Sequence, residues 1–153
     1  MATDGHPTLS YALRGIATME VRVHGPAQDL HSGIYGGAVA NPATAAARLI
    51  ASLHDAEGRV AIEGFYDRVK PLADWERQAA AESPLTDADI AREAGVEELA
   101  GEAGFSGVER IGARPTAEIN GLGGGYQGEG SKTVLPSSAF FKVSFRLVSD
   151  QKP

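Results

Sequence analysis

The segment SAFFKVSFRLV, from Ser138 to Val148, alternates with a period of two along its whole length. Phe141, Val143, Phe145 and Leu147 fall on one face, and Phe140, Lys142, Ser144, Arg146 and Val148 on the other. That period belongs to a strand with one buried side. Such a strand needs neighbours for its backbone and a second layer for its apolar face. LRGIATMEVRVHG (Leu13 to Gly25) supplies one neighbour, with Ile16, Thr18, Glu20, Arg22 and His24 on one side and Ala17, Met19, Val21 and Val23 on the other. Gly25-Pro26 stops it. RPTAEINGL (Arg114 to Leu122) reads as another strand.

The second layer comes from PATAAARLIASLHDAEG. Asn41 is a good N-cap, and Pro42 suits the first helical turn. Ala46, Leu49, Ile50 and Leu53 are spaced for one helical face, and the helix is expected to end near His54 with Gly58 as terminator. DLHSGIYGGAVANP, before it, is a loop. From Arg59 to Arg114 the character changes. VAIEGFYDRV suggests a short strand, and PLADWERQAAAES and TDADIAREAGVEELAGEAG are Ala/Glu-rich and helical. Thr86 and Asp89 have the spacing of a capping box, and the acidic residues read as a solvated helix face. The expected fold is therefore α+β: an antiparallel sheet with a helix packed on one face and an inserted helical lobe at about 59–114. The element order is that of the start of a ferredoxin-like βαββαβ unit, C-terminally incomplete. No long linker or repeat divides residues 1–153, so a single domain is expected.

Composition removes several functions. The net charge is −6, and no two basic residues are adjacent. That is no footprint for nucleic acid. Without cysteine there is neither a disulfide framework nor a thiolate metal site. No apolar run reaches the roughly 18 residues of a membrane helix. Met1 to Gly5 lacks the pattern of a leader, which leaves the cytoplasm as the default location.

NGLGGGYQGEGSKTVLP (Asn120 to Pro136) poses a choice. Gly123, Gly125 and Gly128 match G-x-G-x-x-G, but Thr133, Val134 and Pro136 oppose the helix that a pyrophosphate would need. A P-loop needs contiguous Gly-Lys-Thr, and Ser131 separates Gly130 from Lys132. Two readings remain open. One is a tight connection using positive φ. The other is a bare backbone that permits close approach and presents Thr133 at its exit.

Of the four histidines, His6, His24 and His54 sit at element ends or in the N-terminal segment and need no function. His31, in DLHSG, is either a ligand-facing loop residue or incidental to an Asx-type turn. A triad of Ser32, His31 and Asp29 is implausible, because near neighbours do not converge for proton transfer. Arg146 is either a solvated strand arginine or a fork for a carboxylate. No metal-ligand cluster and no complete catalytic set is visible.

Three stretches together carry a resemblance. YALRGIATMEVRVHGPAQDLHSGIYGGAVANP resembles the start of the lid, or dimerization, domain of the carnosinase-like di-zinc metallopeptidases. That superfamily includes glutamate carboxypeptidases, aminoacylases and succinyl-diaminopimelate desuccinylase. GRVAIEGFYDRV looks like its dipeptidase branch, and EINGLGGGYQGEGSKTVLPSSAFFKVSFRLVSDQKP resembles the stretch that crosses the lid sheet. The likeness runs from about Pro7 to Pro153. It implies a homodimer through the lid and a peptide or N-acyl amino acid substrate. It implies His31 as a catalytic donor to the oxyanion across the dimer and Thr133 on the substrate carboxylate, also across the dimer. Arg146 is implied as a clamp on that carboxylate within the subunit, and Asn120 as a cleft residue. Two zinc ions are implied in a catalytic domain that is not in this sequence, and no metal or cofactor in this chain, which alone is expected to be inactive. The rival expectation is a free-standing binding or assembly module.

Overall fold

The computed structural model describes Gly5, Pro7 and residues 9–153. His6 and the segment Met1 to Asp4, on which the leader reading falls, lie outside the described residues. Along the chain run β1 (Gly15–His24), β2 (Leu30–His31), α1 (Ser32–Tyr35), α2 (Pro42–Ala51), α3 (Asp74–Ala81), α4 (Asp87–Ala94), α5 (Gly107–Ala113), β3 (Thr116–Gly124), β4 (Val134–Leu135) and β5 (Ser138–Leu147). Two compact units emerge: Met1–Ala17, His54–Thr116 and Arg146–Pro153 form the first, and Thr18–Leu53 and Ala117–Phe145 the second. No helix among the described residues is long and apolar enough to cross a membrane.

The second unit holds most of a three-stranded sheet in the order β1-β5-β3. The last strand takes the middle, which explains its strict alternation. Ala139, Phe141, Val143 and Phe145 are all buried. Contacts fix the strand directions. Arg22 lies 5.6 Å over the Phe140 ring, and Glu20 is 3.7 Å from Lys142, so position rises along β1 as it falls along β5. Gly121 and Gly123 likewise face Lys142 and Phe140 in opposite order. Both pairings are antiparallel. β1, at the edge, is less covered: Val21 and Val23 are half-buried and Met19 is 53% exposed.

In α2 the Asn41 side chain accepts from the Ala43 N–H at 2.9 Å, and Pro42 opens the helix. Pro42 and Ala46 are buried and Ile50 half-buried. Leu49, expected on that face, is instead 45% exposed. Residues four apart form the covered stripe, and Leu49 stands beside it. The helix closes at Ala51, with Ser52 as C-cap, earlier than expected.

The first unit holds the lobe helices. The Thr86–Asp89 capping box opens α4 as expected. The helical reading of Val96 to Gly104 fails, because Gly95 ends α4 in the left-handed conformation at φ 71°. α5 follows instead, opened by a capping box of Ser106 and Glu109. The strand expected in VAIEGFYDRV is absent. Val60 makes one isolated antiparallel bridge to His54, and its N–H goes to the Tyr66 hydroxyl at 3.2 Å. The lobe's acidic residues are not all solvated either. Glu102 and Glu109 are buried. Arg114, also buried, grips Glu102 through two bonds of 2.7 Å, with its guanidinium 4.2 Å over the Phe105 ring. Arg77 pairs with Glu109 at 3.1 Å. Desolvation is tolerable here because each carboxylate has a charged partner.

Candidate substrate-contact site

His31 and Thr133 are 102 positions apart in sequence, yet Thr133 Oγ1 lies 3.1 Å from His31 Nε2. A two-residue antiparallel ladder brings them together, pairing Leu30 with Leu135 and His31 with Val134. The Ser32 N–H donates to the Thr133 carbonyl at 3.1 Å. At the other end Asp29 Oδ1 accepts from the Ser137 N–H at 2.8 Å. That bond holds the Asp29 carboxyl below the usual carboxylate range, with nearby Lys132 a smaller contribution.

The ring of His31 is oriented from the other side. It caps the single turn of α1, and its Nδ1 accepts from the Gly33 N–H at 3.0 Å. A nitrogen that accepts carries no proton, so in the neutral ring the proton sits on Nε2. Nε2–H then donates to the Thr133 oxygen, which leaves the Thr133 O–H to donate outward. Gly33 is required for this arrangement. A Cβ there would fall 2.9 Å from His31 Cε1, inside contact distance. His31 and Thr133 are both exposed. The result is one free donor, the Thr133 O–H, presented to solvent beside a ring N–H that rests on the Thr133 oxygen; such groups suit a carboxylate or a developing oxyanion.

Asp29 makes no local Asx turn; its acceptor reaches the far loop. The glycine segment leads into β4 with no helix between them, so the nucleotide-binding geometry is absent. Gly124, Gly125 and Gly130 adopt positive φ of 139°, 74° and 76°, as the turn reading requires, while the exit presents Thr133. The turn reading of the loop therefore holds.

The other site residues are placed separately. Asn120 is exposed in β3. Gly121 faces Lys142, so by alternation Asn120 projects from the opposite face. Arg146 is exposed in β5 and belongs to the first unit. There the Arg14 guanidinium is shifted down by desolvation and then by the charge of Arg146. Among the described residues no three His, Asp or Glu side chains are grouped to hold a metal ion. Sequence reasoning missed Asp29 and Gly33 as parts of the site. No local signal pointed to the Asp29 contact, whose partner lies 108 positions away.

The profile of the peptidase dimerisation domain matches residues 11–153. The chain belongs to the peptidase dimerisation domain family. It is 33% identical over 144 residues to the Cys-Gly metallodipeptidase of Candida albicans, covering 94% of this chain and 30% of that one. Among solved structures it is similar to the M20 family metallo-carboxypeptidase Sso-CP2 of Sulfolobus solfataricus, with a TM-score of 0.79, 34% identity, and coverage of 92% of this chain and 37% of that one. It is also similar to human carnosine dipeptidase 1, with a TM-score of 0.78, 29% identity, and coverage of 91% and 30%. The chain thus spans about a third of the length of these relatives, the portion that is the dimerisation domain.

Proposed function

We propose that this dimerisation domain serves a zinc-dependent metallopeptidase of the cytoplasm that cleaves dipeptides or N-acyl amino acids. Two copies pair through it. Each carries His31 and Thr133 to the partner's active site, and Arg146 acts within its own subunit. The observation that supports this most strongly is the 3.1 Å pairing of His31 with Thr133 across 102 positions. In this reading the chain's share of the chemistry is binding and charge stabilisation. His31 Nε2–H, fixed by its tautomer, turns from the Thr133 oxygen to the oxyanion as a substrate carbonyl is attacked. The Thr133 hydroxyl and the Arg146 fork hold the substrate carboxylate, and Asn120 lines the cleft.

Kinetics of the longer protein on a dipeptide test this. His31→Ala should lower kcat by about 10²–10³, the typical loss for one oxyanion donor. Thr133→Val and Arg146→Met should act mainly by raising KM. An unchanged kcat for His31→Ala would overturn the assignment.

A further inference from the structure

The ladder that carries His31 and Thr133 is two residues long. So short a pairing is marginal on its own. Beyond Leu135 the antiparallel alternation puts Pro136, like Val134, at a position that gives no bond to β2. The first N–H available beyond it belongs to Ser137, and Asp29 takes it at 2.8 Å. The Ser137 carbonyl in turn accepts from the Gly25 N–H at 2.8 Å, which ties the end of β1 to the same point. Asp29 is two residues from His31, and Ser137 is four from Thr133. A shift at that clip is therefore transmitted directly to the distance between the two donors.

We propose that Asp29 is a positioning residue for His31: by accepting the Ser137 N–H its side chain closes the ladder beyond the Leu30–Leu135 pair, and so keeps the His31 Nε2–H on the Thr133 hydroxyl. Its contact is with the Ser137 backbone, and it acts through the loop. Asp29 is exposed, so its effect is local and not part of the core. The inference rests on the functional reading above only for its consequence in catalysis. The clip itself is a property of this chain.

The test is nitrogen NMR of the 153-residue chain labelled in its histidine rings, with His31→Gln assigning the His31 signals. In the unsubstituted chain His31 should show one protonated and one bare ring nitrogen, with Nε2 protonated. Asp29→Ala should move both signals toward the average of mixed tautomers, while the urea midpoint stays within error. Asp29→Asn keeps an acceptor oxygen and should keep the split signals. If Asp29→Ala does not fold, Asp29→Ser, with its acceptor drawn back, carries the same expectation. Split signals that survive the loss of the acceptor overturn the proposal. So does averaging in Asp29→Asn equal to that in Asp29→Ala. Kinetics of Asp29→Ala in the longer protein then separate the two claims. Averaged signals with a fall in kcat, mirroring His31→Ala in kind, support both. Averaged signals with unchanged turnover support the clip and refute the catalytic role of His31.

Discussion

Replacing Arg114 by methionine should destabilise the first unit by about 3–5 kcal/mol, the usual cost of stripping one partner from a buried ion pair. The geometry sets that magnitude. Both side chains are 8% exposed, and the two bonds are 2.7 Å long. Without Arg114, Glu102 keeps only Arg59, 3.6 Å away and 50% exposed. A half-solvated partner at that distance recovers on the order of 1 kcal/mol at most. Stacking of the guanidinium on Phe105 at 4.2 Å is lost too, worth about 0.5–2 kcal/mol, while the methionine stem retains part of the packing. Removing both charges, as Arg114→Met with Glu102→Leu, should recover most of the loss, because no buried charge is then left unpaired. Urea unfolding followed by fluorescence is the assay. Trp75, the only tryptophan, lies in the same unit as the pair. A cost below about 1 kcal/mol for the single variant would place the pair energetically with surface ion pairs and refute the reasoning. A double variant as unstable as the sum of the singles would refute it as well.

Two further outcomes follow from local geometry. The Asp89 carboxyl is lowered to about 2 because the Thr86 side chain and then the Thr86 N–H bond to it, with Arg92 adding to the effect. A carboxyl lowered on folding stabilises above its unfolded value of 3.8 and loses that contribution as the pH falls toward 2; helical circular dichroism during acid titration should show it, and Thr86→Ala should shift the loss upward in pH and cost about 1 kcal/mol as a lost cap. Gly33→Ala should displace the His31 ring, since its Cβ would meet Cε1 at 2.9 Å; the His31 ring-nitrogen signals should change while the unfolding midpoint moves little, and unchanged signals would mean that the ring is not seated as described.

What the sequence made legible was short-range. The alternation of Phe141, Val143, Phe145 and Leu147, the Asn41-Pro42 helix start and the Thr86–Asp89 box each depend on neighbours within a turn or a strand, and each is present. The helix read through Val96 to Gly104 failed on backbone conformation: Gly95, Gly101 and Gly104 all have positive φ, and three such points outweigh Ala/Glu composition. Long-range pairing was not legible. Nothing local announces that Glu102 waits for Arg114, so its burial contradicted the expected solvated face. The contact of Asp29 with Ser137 spans 108 positions, and no periodicity encodes it. The roles of His31, Thr133 and Arg146 came from resemblance, and the sequence by itself left His31 and Arg146 each with two readings. The central place of β5 was also hidden, although its strict burial of alternate residues is what a middle strand shows.

The central claim is that one subunit's His31 serves the other subunit's site, and subunit mixing tests it most directly. Two inactive forms of the longer protein would be combined by unfolding and refolding together: one with His31→Ala, the other inactivated in its own catalytic domain. If His31 acts across the dimer, each mixed dimer contains one intact site. Activity should then return to about a quarter of that of the unsubstituted protein, because random pairing makes about half the dimers mixed. Mixtures that stay as inactive as their two components, although mixed dimers are shown to form, would contradict the account.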